Sequence, residues 1–424
     1  MPVSICDHQS LVVRLQTDST LRTVWRALGE SPTWVAGGWI RDRALGRRPP
    51  DLDLVVPGDA ESAKRPARRL AANWGVQAHL LGRPPRAVWR LEGPSFKVEL
   101  WPLDRYSPEE DARRRDFTCN ALLWRLPDGP LIDPTEGLSD MQNHLIRAVS
   151  RENLENDPLR LLRGPRLAAT MENHQLEETT LGWIRRLAPT LSGAPRERIG
   201  TELRSLTQTP NPTRGLKLMV DLGLLGPAGP RRAMNSWHQQ NLDSVLRLGG
   251  GLSHPVPHSV LESKGLALLA WITAGWGVTS ARELAAYSWS RDVVHSVFLA
   301  ASARERARHE ARASAQNRRE AIARYGDAFA AVVALAAALD VEDRPPVEHW
   351  RRWWRQWKRS GPEIMKQRLF LSAHETAQIA GVPPGPKLGK LLRGLRRAQV
   401  RGDIRSASGA RLWVRRQCPT PSSD

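Results

Sequence analysis

From Trp34 to about Leu126 the chain alternates short apolar runs with Gly and Pro. Trp34-Val35-Ala36, Leu52–Val56, Ala87–Leu91 and Phe96–Trp101 are aliphatic and aromatic runs bounded by turn formers, a pattern that predicts strands. Between them, Ala60–Trp74 repeats its apolar positions three and four apart, which predicts a helix. Past Asp133-Pro134 the strand pattern stops. Residues 140–345 then carry helical spacing almost throughout, in Pro158–Met171, Glu177–Ala188, Pro195–Thr207, Thr213–Leu222, Val260–Ala274 and a long run from Asp292 to Leu339. Glu342–Pro346 reads as a linker before a last helical module. The prediction is an α+β chain, with a small α/β head followed by helices.

Composition narrows the class. Hydrophobic residues make up 41% of the 424, yet no run reaches the roughly 20 apolar residues of a membrane span. Met1-Pro2-Val3-Ser4 lacks the charged-then-apolar start of a secretory signal, so the expectation is a cytoplasmic protein. Cys6, Cys119 and Cys418 lie far apart with no CxxC pair, which argues for reduced thiols over a disulfide framework or zinc ribbon. His254 and His258 are flanked by Pro255 and Pro257, so they read as loop residues and not as a helical metal pair.

The formal net charge is +19, and residues 351–424 alone hold 17 Lys or Arg against four acids. Such a field points to a phosphate polymer as partner, gripped largely by the tail. The Ala/Arg-rich stretch 301–324 reads as a solvated helix face, with an RNA-facing stripe as the alternative. Trp350, Trp353, Trp354 and Trp357 are spaced as a helical core stripe, with base stacking as the alternative.

The chemistry concentrates in Gly37-Gly38-Trp39-Ile40-Arg41-Asp42 and Asp51-Leu52-Asp53. Two glycines between a strand and a helix let the backbone approach a ligand, with free N–H groups facing an anion such as a triphosphate. Arg41, one turn in, adds a forked charge. Asp51 and Asp53 point to one strand face, where Mg²⁺ is the natural counter-ion. Glu99 is a candidate third carboxylate. A DxD or a glycine pair alone is a weak signal; the two together, in this order, are specific. No Gly-Lys-Ser/Thr closes a P-loop, and the third glycine of a Rossmann turn is missing.

These residues resemble the first motif of the class II CCA-adding enzyme and bacterial poly(A) polymerase family, and the resemblance continues in order. Arg114-Arg115-Asp116-Phe117-Thr118-Cys119-Asn120-Ala121-Leu122 is similar to the family's ribose-recognition motif. Asp133-Pro134 with Gly137, Asp140 and Ile146-Arg147 resembles its hinge. Asn156-Asp157-Pro158-Leu159-Arg160-Leu161-Leu162-Arg163 resembles its base-recognition motif, and Glu197–Leu203 its fifth. Gly381–Pro386 with Gly389 and Leu391-Leu392 resembles the tail that holds the tRNA elbow. The likeness is dense over 34–203 and thin over 204–365.

The resemblance implies a polymerase-β-like palm over 1–130, a neck over 131–195, a body over 196–345 and a basic tRNA-binding tail over 346–424. It implies Mg²⁺ on Asp51 and Asp53, with Glu99 beside them. Gly37, Gly38 and Arg41 would take the triphosphate, and Arg115, Asp116 and Asn120 the ribose. Asp157, Arg160 and Arg163 would take the base. Asp157 and Arg160, three apart on a predicted helix, share a face and offer an acceptor and a donor, which suits the amine-and-acceptor edge common to cytosine and adenine. The bland alternative is an intrahelical ion pair. The expected activity is untemplated addition of C, from CTP and with ATP as the further nucleotide, to the tRNA 3′ end.

Two departures matter. Asn156 stands where the family has an acid, and Cys119 replaces an aliphatic residue. The stretch Leu103–Asp111 is also short, which resembles enzymes that add only CC and leave A to a separate A-adding enzyme. The alternatives are a poly(A) polymerase on the same scaffold and a catalytically silent RNA-binding protein.

Overall fold

The computed structural model describes residues 5–29, 31–49, 51–83, 87–93, 96–230, 235–243, 258–311, 314–339 and 347–418. The linker expected at Glu342–Pro346 and His254 lie outside them. The chain forms two compact units, Met1–Pro195 with Thr209–Ala228, and Arg196–Gln208 with Gly229–Asp424.

The first unit opens with two helices, α1 (His8–Thr17) and α2 (Ser19–Leu28), started by Asp7 and Asp18, whose side chains accept from free N–H groups of the first turns. The head sheet then builds from β1 (Trp34–Ala36), β2 (Asp51–Val56), β3 (Ala78–Leu81), β4 (Val88–Gly93), β5 (Phe96–Pro102), β6 (Leu123–Arg125) and β7 (Leu131–Ile132), in the order β3-β4-β5-β2-β1-β6-β7. β2 and β5 run parallel, while their neighbours pair antiparallel. A parallel pair needs a long crossover, and α4 (Lys64–Trp74) with the β3–β4 hairpin supplies it. Side chains alternate across the sheet. Leu52, Leu54, Val98 and Leu100, all buried, therefore share one face, and Asp51, Asp53, Glu99 and Ala36 share the other. On the first face a cavity of about 220 Å³ lies among Leu15, Leu21, Trp25 and Trp124, opposite the carboxylates.

The second face continues into a core of Ala36, Val55, Leu103, Ala112, Ala121 and Leu123. This core seats α5 (Pro108–Arg113) and the 3₁₀ turn Thr118–Asn120 under the carboxylates. The segment expected to form the neck follows as α6 (Gly137–Gln142), α7 (Arg151–Asn156), α8 (Arg160–Thr170) and α9 (Glu178–Leu187). It is not strand-free as expected, because Leu145–Ile146 and Gln175–Leu176 form a short parallel pair.

The second unit is helical throughout its described residues. His258–Gly275 packs on Arg291–Ala311 and Phe329–Leu339, and His258 opens a helix where a loop was expected. The run expected from Asp292 to Leu339 is broken into three by the N-cap Ser314 and by Gly326 at φ +51°. Within 301–324, Ala301, Ala303, Ala307 and Ala321 are buried, so only part of that stretch faces solvent. Trp353 is fully buried edge-on to Phe329, which makes it core, while Trp357 stacks on Phe329 and Trp354 and both are half-buried; the Trp350 side chain lies outside the described residues. The tail helices Ala373–Ala380, Pro386–Arg401 and Ala407–Gln417 close over Leu371, Leu395, Ile404, Ala410 and Val414. No described helix is long and apolar enough to cross a membrane.

Candidate active site

The site begins where β1 ends. Gly37 takes φ +63° and ψ −122°, a conformation L side chains rarely adopt, and its N–H donates to the Leu122 carbonyl at 3.0 Å. A Cβ on Gly37 would come within 3.0 Å of Arg115 Nη1. Gly38 opens α3 (Gly38–Ala44), and a Cβ there would meet Arg41 only at van der Waals distance. Arg41 folds inward beneath the turn: Nε donates to Asp42 Oδ1 at 2.9 Å and Nη1 to Asn120 Oδ1 at 2.7 Å.

Asp51 and Asp53 lie on one face of β2, as their spacing predicts. The parallel register sets Lys97 beside Asp51 and Glu99 beside Asp53. Among the described residues neither Asp51 nor Asp53 has a side-chain hydrogen bond or ion pair. Burial pushes the Asp53 carboxyl up to about 6; Glu99 and Asp51 add to the rise, and Arg115 and Lys97 oppose it. Glu99 is buried, and its Oε1 accepts from Arg90 Nη2 at 2.7 Å and Lys97 Nζ at 3.1 Å. Its charge is thus already balanced by the protein. Among the described residues no three Asp, Glu, His or Cys side chains gather as a metal cluster.

Asp116 is the hub of the expected ribose motif. It is buried and accepts from Phe117 N at 2.8 Å, Asn120 Nδ2 at 3.1 Å and Arg163 Nη1 at 3.1 Å. Burial alone would raise its pKa, but Arg163, Asn120 and Arg160 outweigh that and hold it at about 2. Arg115 does not pair with Asp116. It reaches Asp111 Oδ2 through Nε at 3.0 Å and Nη2 at 2.8 Å. The Arg114 guanidinium lies 3.6 Å from the centre of the Tyr106 ring.

The residues of the expected hinge motif bond to this turn and to α6. Asp133 caps α6 by accepting from Gly137 N at 2.7 Å. Asp140 accepts from Thr118 Oγ1 at 2.8 Å and Arg147 Nε at 3.1 Å.

The shared helix face expected for Asp157 and Arg160 is not formed. Pro158 disfavours helical backbone before it, so Asp157 is extended (φ −143°, ψ 94°) and α8 starts at Arg160. Asp157 Oδ1 accepts from Leu159 N at 3.3 Å. Arg160 Nη1 donates to the carbonyls of Arg114 at 2.9 Å and Asn153 at 3.1 Å, tying the neck to the arginine pair.

Arg90, Lys97, Asp111 and Asn153 were not anticipated from the sequence. Asp111 was findable, because it precedes Arg115 by four on a helical stretch. Arg90 was not, since its place opposite Glu99 depends on strand register.

Comparison with known proteins agrees with this architecture. Residues 33–147 match the poly A polymerase head domain, and residues 173–231 match a domain described as the probable RNA and SrmB-binding site of polymerase A. The CC-adding tRNA nucleotidyltransferase of Thermus thermophilus is 31% identical over 89% of this chain and 92% of its own length. The CCA-adding enzyme of Limosilactobacillus reuteri is also 31% identical, over 88% and 89%. The crystal structure of the Bacillus stearothermophilus CCA-adding enzyme in complex with CTP has the same fold, with TM-score 0.68 and 20% identity over 95% of this chain and 97% of that one. With its glycine turn, paired carboxylates, polymerase head and helical remainder, the chain belongs to the class II CCA-adding family of tRNA nucleotidyltransferases.

Proposed function

We propose that this nucleotidyltransferase adds the two cytidines of the tRNA 3′ end from CTP and leaves the terminal adenosine to a separate A-adding enzyme. The segment between β5 and Arg115 carries this reading. Leu103 is buried in the core under the site, Asp104 N donates to the Gly58 carbonyl at 2.8 Å, and α5 already begins at Pro108. A chain so tied has no slack for a mobile excursion between its anchors. The test is product sizing on a tRNA trimmed of its 3′ end, with CTP alone and then with CTP plus ATP. Two additions and a stop are expected in both. Efficient completion to three overturns the CC reading, and long A-tails on generic RNA would move the assignment to a poly(A) polymerase.

The family uses divalent metal, and the residues here fit Mg²⁺ on Asp51 and Asp53. They offer hard oxygen donors on one strand face, and Asp53 is a half-buried carboxylate with no partner among the described residues that gains from a cation. Two protein carboxylates suffice when phosphate and water oxygens complete the shell. When bound, the ion lowers the pKa of the attacking tRNA 3′-hydroxyl and neutralises charge on the leaving pyrophosphate.

The chain's own groups do the rest. Gly37 and Gly38 bring backbone close to the triphosphate, and Arg41 supplies positive charge from beneath the turn. Arg115 keeps its Nη1 edge toward that turn, while Asp116 and Asn120 receive the ribose. Asp157 and Arg160 read the base, and Arg163 holds Asp116 in place for them. Glu99 sets the field around Asp53. The division into head 1–130, neck 131–195, body 196–345 and tail 346–424 belongs to the same reading, with the basic tail anchoring the tRNA.

A further inference from the structure

We infer that Asp111 is a positioning residue: it holds the Arg115 guanidinium and so keeps Asp53 open for a divalent cation. This rests on the reading of Asp51 and Asp53 as the cation's holders.

Arg115 stands between two carboxylates. The Nε/Nη2 edge, which suits a carboxylate fork, is spent on Asp111 Oδ2 at 3.0 and 2.8 Å. The remaining Nη1 lies over the glycine turn, 3.5 Å from the Asn120 carbonyl and 3.0 Å from the Cβ position of Gly37. Gly37 follows Ala36, whose partner across the strands is Asp53. After Asp111, Asp53 is the carboxylate whose charge Arg115 feels most.

Release from Asp111 would leave a half-buried guanidinium in search of an acceptor. Asp116 is already engaged by Phe117, Asn120 and Arg163. Of the two carboxylates without a partner among the described residues, Asp51 is exposed on the strand, and Asp53 is the one whose charge acts on Arg115. An Arg115–Asp53 pair would occupy the carboxylate meant for the ion. Asp111 is well placed to prevent it, because its helix is fixed at both levels. Ser107 and Glu110 form a reciprocal capping box, and Ala112 is buried in the core.

The test is Mn²⁺ binding to the nucleotide-free full-length protein, followed by electron paramagnetic resonance of the free ion. Asp111→Asn is expected to weaken binding by about ten-fold, the scale of a neighbouring opposite charge. Arg115→Gln in the Asp111→Asn background is expected to restore it, and Asp111→Glu to bind as the wild type does. Asp111→Asn binding as tightly as wild type, or a double variant no tighter than Asp111→Asn, overturns the inference. Arg115→Lys serves if Asp111→Asn does not fold. Lysine cannot make the fork, so binding should weaken with Asp111 intact, and unchanged binding again overturns the inference. Asp53→Asn separates the two levels: if it leaves Mn²⁺ binding unchanged, the carboxylate assignment itself has failed.

Discussion

Arg163 of α8 donates to Asp116 of the head at 3.1 Å across 47 residues of sequence, joining the neck to the turn beside the glycines. Asp116 is held at about 2 against an ordinary 3.8: burial pushes it up, and Arg163, Asn120 and Arg160 more than reverse that. The native state therefore favours the ionised form. This stabilisation is fully present above the unfolded pKa and is lost as pH falls toward 2. Asp116→Asn is expected to lose about 2 kcal/mol in urea unfolding at pH 7, with the difference from wild type shrinking below pH 4. An equal loss at pH 7 and pH 2.5 would assign the effect to packing and not to charge.

Asp53 has the opposite sign. Burial, with Glu99 and Asp51, raises its carboxyl from 3.8 to about 6, so ionisation works against the native state. With a chelator present, its contribution to stability declines as pH rises from about 4 to 6 and stays lost above that. Asp53→Asn is expected to stabilise the metal-free protein by about 2–3 kcal/mol at pH 8, little at pH 4, while nucleotide incorporation is abolished. Thermal melts at the two pH values read this directly. A variant less stable than wild type at pH 8 would contradict the cause given for the shift.

Gly137 is a glycine for steric reasons. A Cβ there would lie 2.1 Å from the Thr118 carbonyl oxygen, which is backbone of the 3₁₀ turn carrying Asn120. The turn cannot yield freely, because Thr118 is also bonded to Asp140 and to the Arg147 carbonyl. Gly137→Ala is expected to cost at least about 1–3 kcal/mol. Gly75→Ala, where nothing lies within 4 Å but φ is +66°, should show the milder price of backbone strain alone. Equal melting temperatures for the two variants would exclude the clash.

How far the sequence reaches follows from range. The strand β2, the glycine turn and the acid pair two apart are local patterns, and they form as written. The break at Asp157 is also local, because Pro158 disfavours the helix that a three-residue spacing invites. Glu99 beside Asp53 is set by pairing across a parallel crossover, which no spacing along the chain encodes, and Arg90 beside Glu99 by the register of the antiparallel β4–β5 hairpin. The inward turn of Arg41 toward Asn120 depends in the same way on two segments 79 residues apart.

The tail offers a prediction in which charge and packing separate cleanly. Pro386–Arg401 buries Leu388 and Leu395, whereas Lys387, Lys390 and Arg393 are exposed at intervals of three and have no ion pair among the described residues. Arg397, four residues beyond Arg393, is instead spent on Glu320 at 2.9 Å. The unpaired three are therefore free to displace counter-ions from an RNA backbone, each adding roughly 0.7–0.9 to the slope of log affinity against log salt. The triple variant Lys387→Glu, Lys390→Glu, Arg393→Glu should keep its melting temperature, since no buried residue changes. It should raise the Kd for tRNA by at least about ten-fold at low salt and flatten the salt slope by about 2. Arg397→Glu, which instead breaks an internal pair, should leave that slope nearly unchanged. If the triple variant binds tRNA with the wild-type slope, the RNA is held by another surface and the tail's charge serves something else.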